Sequence, residues 1–117
     1  MAVILEERGA EIVLPQLRGA MLSSVNFSET ASRLAEKKDT TAAEVVALLR
    51  RFDLEICPFD SDLALIAAEF RPLTRHIGAS FADRACLALG SAKRAPILTA
   101  DSKWAELEID LDIRLIR

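Results

Sequence analysis

Tyrosine is absent from this chain of 117 residues, and aromatic side chains make up only 5% of it. A core here must be assembled from Leu, Ile, Val and Ala. Histidine occurs once and cysteine twice. His76 stands in the loop-like run Thr74-Arg75-His76-Ile77-Gly78, with no second histidine or paired cysteine at ligand spacing, which argues against a zinc centre and for an exposed loop residue. Cys57 and Cys86 lie in the apolar contexts Glu55-Ile56-Cys57-Pro58 and Ala85-Cys86-Leu87, where small buried hydrophobes are expected rather than disulfide or metal partners. Excess positive charge is also missing. The formal net charge is −3 and the sequence pI about 5.2, so any nucleic-acid contact must be local or helped by a bound cation. No apolar run is long enough to span a bilayer. The opening Met1-Ala2-Val3-Ile4-Leu5-Glu6-Glu7-Arg8 is too short and too acidic for a secretory signal, so a cytoplasmic location and no membrane partner are expected. There is no glycine-rich phosphate loop and no serine nucleophile elbow.

What is present is a composition that packs: 51% hydrophobic and 28% charged residues support a folded core and argue against disorder. No linker, repeat or low-complexity stretch divides it, so a single domain over 1–117 is expected. Residues 21–25, 55–59 and 96–100 read as short buried strands, and 113–116 as an edge strand. Helical spacing lies between them. Thr41-Ala42-Ala43-Glu44 is a capping box followed by Val45, Leu48, Leu49 and Phe52. Leu63, Ile66, Ala67 and Phe70 follow the N-cap candidate Asp60, and Ala82, Ala85, Cys86 and Leu89 follow Ser80. Residues 26–38 form a further helix ending in a basic pair, 11–17 a short one, and residues 2–7 another that Gly9 ends. Strands alternating with helices imply an α/β fold with a mainly parallel sheet covered on both faces. Unusually, the chain starts in a helix-like stretch, with no strand visible before residue 21.

In open parallel sheets, ligands bind beyond the carboxyl ends of the strands. Three acids fall near such ends. Glu29 is in the first turn of the helix after the 21–25 strand, Asp83 in the first turn of the helix opened by Ser80, and Asp101 directly after 96–100. Clustered carboxylates repel, and a divalent cation with a preference for oxygen ligands removes that cost. Each acid also has a plainer explanation. Glu29 stands three residues after Asn26 and Asp83 three after Ser80, the spacing of a capping box, and Asp101 could cap a short helix at Ser102-Lys103-Trp104-Ala105. Arg84 and Lys103 flank two of the acids and could hold phosphates, though solvated helix charges are commoner. Trp104 reads as a lid on the core.

Three motifs carry a resemblance. Ser80-Phe81-Ala82-Asp83-Arg84-Ala85-Cys86-Leu87-Ala88-Leu89-Gly90 resembles the central acidic helix of bacterial PIN-domain proteins, and Pro96-Ile97-Leu98-Thr99-Ala100-Asp101-Ser102-Lys103-Trp104 resembles the strand and acidic turn that follow it. Ser23-Ser24-Val25-Asn26-Phe27-Ser28-Glu29 looks like the earlier strand and the helix-borne Glu of the same family. The resemblance implies a three-layer α/β/α sandwich. For toxin members of the VapC type it implies a Mg²⁺- or Mn²⁺-dependent endoribonuclease, RNA as substrate, a small cognate antitoxin and a homodimer. It implies Glu29, Asp83 and Asp101 as catalytic and metal-holding residues, with Thr99 orienting the site. Family members normally open with a central strand ending in a ligand Asp, and that strand and Asp are missing here. A coding start placed about ten residues late and a real truncation both explain the gap, and the late start is preferred.

Two functions compete on this reading: a metal-dependent ribonuclease toxin, or a catalytically inactive truncated domain that binds only its antitoxin or itself. A phosphoacceptor receiver domain would need an acidic pair after an early strand and a Lys after a late one, and neither is visible.

Overall fold

The structure is a computed structural model that describes residues 19–38, 41–51 and 53–115. The expected helices at 2–7 and 11–17 and the side chain of Phe52 lie outside the described residues, as do the side chains of Leu48 and Leu49. In chain order the elements are β1 (Met21–Ser23), α1 (Ser24–Lys38), α2 (Ala42–Arg50), β2 (Glu55–Cys57), α3 (Ser61–Glu69), α4 (Arg71–Thr74), a 3-10 turn (Arg75–Ile77), α5 (Phe81–Lys93), β3 (Ile97–Thr99), a second 3-10 turn (Ser102–Glu106) and β4 (Ile113–Leu115).

The strands are shorter than their apolar runs. β1 ends at Ser23 because Ser23 Oγ accepts from Val25 N at 3.3 Å, an N-cap bond that starts α1 at once. The expected strand residues Ser24 and Val25 and the expected helix start at Asn26 are therefore corrected: α1 begins two residues earlier. β2 stops before Pro58, which cannot donate to a ladder. The other caps follow the expectation. Thr41 Oγ1 accepts from Glu44 N at 3.2 Å and starts α2. Asp60 Oδ1 accepts from Leu63 N at 3.0 Å and starts α3. Ser80 and Asp83 exchange both bonds of a capping box and start α5. The stretch around His76 is a 3-10 turn closed by left-handed Gly78 (φ 66), and His76 itself is exposed.

All pairing is parallel, as expected. The strands form two separate pairs among the described residues, β1 with β2 and β3 with β4, rather than one continuous sheet. One helix spans both pairs: α5 packs on β1 and on β3, and also on α1 and α3. Its sequence explains this. Ala82, Ala85, Leu87, Ala88, Leu89 and Gly90 are buried, so the helix is apolar nearly all round and must be covered on several sides. Ala88 and Leu89 join a core with Cys57, Leu63 and Ala67, while Leu87 joins Ile77, Ile97 and Trp104. Leu22, Ala31, Leu34 and Val45 fill a third cluster under α1 and α2. Trp104, 3% exposed, is a core residue rather than a lid. At Gly90 a side chain is excluded, because a Cβ would run into the Ile97 side chain and α5 could not sit on β3.

Candidate functional site

Two helix starts meet in the fold. Because α1 begins immediately after β1, Asn26 falls inside its first turn rather than at its cap. Asn26, Glu29, Thr30 and Arg33 then recur at helical spacing along one face of α1. Against that face stands the start of α5. Asn26 Nδ2 donates to the Ala82 backbone carbonyl at 3.0 Å, a bond linking positions 56 apart in sequence. Together Asn26, Glu29, Thr30, Arg33, Ala82 and Asp83 line a cavity of about 20 Å³, room for a water or a small cation. Since Asn26 is not the N-cap, the capping-box explanation of Glu29 is removed. The Glu29 carboxylate instead pairs with Arg33 at 2.8 Å, one turn on and half-exposed to solvent.

The other two acids do serve as caps. Asp83 Oδ2 accepts from Ser80 N at 2.9 Å and so completes the box that starts α5. Asp101 Oδ1 accepts from Lys103 N at 2.9 Å, and its own N–H is received by Thr99 Oγ1 at 3.1 Å. Thr99, 2% exposed, therefore shapes the turn that carries Asp101. Asp101 itself is exposed and does not line the cavity. Among the described residues no three of His, Cys, Asp and Glu come together as a metal-binding group. The structure brings Glu29 and Asp83 to one cavity and leaves Asp101 at the end of β3.

The flanking cations are placed differently. The Arg84 guanidinium donates to the Ala67 carbonyl at 3.3 Å and lies 5.8 Å from the Phe81 ring, so it ties α5 to α3 and is turned from the cavity. Lys103 is exposed beside Asp101. Arg33, which the sequence reading passed over, is on the cavity wall.

The donor set fits a hard cation. Toward a positive charge the cavity lining offers the Glu29 and Asp83 carboxylates, the Asn26 amide and the Thr30 hydroxyl, oxygen chemistry that suits Mg²⁺ or Mn²⁺, while the Arg33 guanidinium on the same wall is paired with Glu29. Asn26 is 4% exposed, and its Oδ1 has no hydrogen-bond partner. Sulfur does not enter this set. Burial, with the Asp83 charge adding to it, pushes the nearby Cys86 thiol up to about 11, so it stays protonated at neutral pH and is a poor ligand or nucleophile. Both cysteines are free, and Cys57 is packed as an apolar residue, in line with the sequence reading.

A family model described as PIN domain matches residues 1–109. The crystal structure of a member of the VapBC family of toxin-antitoxin systems, VapBC-5 from Mycobacterium tuberculosis, superposes with a TM-score of 0.55 at 25% identity, covering 81% of this chain and 79% of that one. No curated protein matches the chain. Among the described residues no helix is long and apolar enough to cross a membrane.

Proposed function

This chain belongs to the PIN-domain family, and on that footing we propose that it is a metal-dependent endoribonuclease, the toxin of a type II toxin–antitoxin pair, which hydrolyses RNA phosphodiester bonds. PIN domains are generally nucleases, and the similar VapBC-5 structure comes from a toxin–antitoxin family. The observation that carries the reading in this molecule is the cavity between α1 and α5, where Glu29 and Asp83 stand beside an unpaired buried oxygen.

In this reading Glu29 and Asp83 hold the divalent cation. When bound, Mg²⁺ or Mn²⁺ supplies Lewis acidity toward the phosphodiester and the positive charge that lets an acidic protein accept RNA here. The Ser80–Asp83 box fixes one carboxylate by committing a single oxygen to the backbone. The Arg33 pairing holds the Glu29 carboxylate on the cavity wall. Asp101, its turn set by Thr99, is the third carboxylate and is recruited when RNA binds, since catalytic contacts often tighten only in the substrate complex. Lys103 and Arg33 are the phosphate contacts. A single-domain chain, a cytoplasmic location, a homodimer and a small antitoxin partner belong to the same proposal.

The test is Mg²⁺-dependent cleavage of an RNA pool by the purified full chain. Glu29→Gln and Asp83→Asn are each expected to lower the rate by ~100-fold or more with circular dichroism unchanged. Mg²⁺-dependent cleavage persisting in both variants would remove the assignment. One observation favours the second reading, an inactive module that binds its antitoxin or itself: among the described residues the three acids do not share one site. That reading requires a wild-type chain that neither cuts RNA nor gains melting temperature on adding Mg²⁺.

A further inference from the structure

A buried oxygen without a partner is unusual enough to need a cause. Leaving a buried acceptor unpaired forfeits its hydration with no return, so native folds seldom tolerate it without a role for the atom. Among the described residues, the Asn26 Oδ1 atom is the buried side-chain polar atom in that condition. Its orientation is not free. The amide must present Nδ2 to the Ala82 carbonyl, because only the nitrogen end can donate, and so the oxygen end is committed away from that carbonyl. Asn26 lines the same small cavity as Glu29 and Asp83. Arg33 stands on the same wall and is paired with Glu29, so two carboxylates against one guanidinium leave the lining net negative, which favours a cation over an anion.

We propose that Asn26 Oδ1 is a neutral oxygen ligand, completing with Glu29 and Asp83 a divalent-cation site at the crossing of α1 and α5. The proposal rests on the nuclease reading above and adds to it a residue outside the three acids. A neutral amide has a specific use at this place. It adds a donor without adding charge, so the two carboxylates need not share the cavity with a third when no cation is bound. The bond to Ala82 anchors the ligand from α1 on α5, which couples cation binding to the packing of the two helices.

The experiment uses the full chain and reads cation binding rather than cleavage. Mn²⁺ affinity is measured by calorimetry for the wild type, Asn26→Ala, Glu29→Gln and Asp83→Asn. The expected result is a roughly tenfold loss for Asn26→Ala and an equal or larger loss for each carboxylate variant. In parallel, the Asn26 side-chain amide resonance of the wild-type protein is followed during a Mg²⁺ titration. It should shift and saturate at the same concentration as the backbone amides of Glu29 and Asp83. This second readout needs no substitution, so it decides the question even if Asn26→Ala fails to fold for loss of the Ala82 bond. An amide signal that stays still while those of Glu29 and Asp83 move overturns the Asn26 assignment and leaves the nuclease site standing. Failure of wild-type binding, or unchanged affinity in the two carboxylate variants, overturns both.

Discussion

At the start of α5, Asp83 gives one oxygen to a cap and stands on the wall of a cavity shared with a second helix. At the end of β3, Asp101 also gives one oxygen to a cap, but it sits on an exposed turn whose bonds reach no further than three residues along the chain. Both corners use an Asp, a backbone N–H and a neighbouring hydroxyl. They differ in what lies opposite. α1 brings Glu29, Asn26 and Arg33 against Asp83, while the Asp101 turn has its polar groups satisfied from within. A cap therefore does not exclude a functional role for a carboxylate, because one oxygen remains. What distinguishes the corners is a long-range bond, Asn26 to Ala82, that brings further oxygens to Asp83.

Several changes would break or sharpen this contrast. The largest effect is expected at Gly90, which sets α5 on β3 and so sets the distance between the corners. Gly90→Val should cost about 3 kcal/mol by urea unfolding, since overpacking a filled contact forces backbone movement. A loss below about 0.5 kcal/mol would mean that α5 stands clear of Ile97. Next comes alkaline pH. Cys86 is held protonated in the fold to about pH 11, against an ordinary thiol value of 9. The folded state thus keeps a proton that the unfolded chain releases. Stability from this source is intact below pH 9, declines as pH rises through 9 to 11, and totals roughly 2–3 kcal/mol. Cys86→Ala should flatten the stability profile over that window. An unchanged slope would show the thiol to be solvated.

A smaller pair of effects separates the two corners directly. Asp83→Ala and Asp101→Ala each lose a cap bond and should each cost about 1 kcal/mol. Only Asp83→Ala should also abolish the rise in melting temperature on adding Mg²⁺ without RNA. Equal loss of that response in Asp101→Ala would place Asp101 in the cation site before substrate arrives. The smallest effect is at Arg33. Its pair with Glu29 is exposed, so Arg33→Ala should cost about 0.3 kcal/mol at low ionic strength and nothing measurable in high salt.

Much of the fold was legible from local signals. The caps at Thr41, Asp60 and Ser80 lie at the expected residues because a side-chain oxygen three positions before a backbone N–H is a short-range arrangement. The apolar spacing of α5 announced a buried helix for the same reason. The boundary after β1 was misplaced by two residues because Ser23 and Asn26 are both good caps, and sequence alone does not rank them. That small error hid the most informative residue of the site. Read as a cap, Asn26 offers Glu29 a plainer explanation beside the metal-holding one. Placed in the first turn of α1, it leaves Glu29 without a capping role, free to pair with Arg33, and turns its own amide toward α5.

The sequence by itself determined the parallel α/β class, the starts of α2, α3 and α5, the apolar character of both cysteines and the three acidic positions. These follow from periodicity and contacts a few residues long. Tertiary structure alone decided which acids meet, that Arg84 is spent on Ala67 and Phe81, that residue 90 has room for no side chain, and that one amide oxygen is buried without a partner. Each of those depends on two elements far apart in the chain coming into contact, and no local pattern encodes the distance between them.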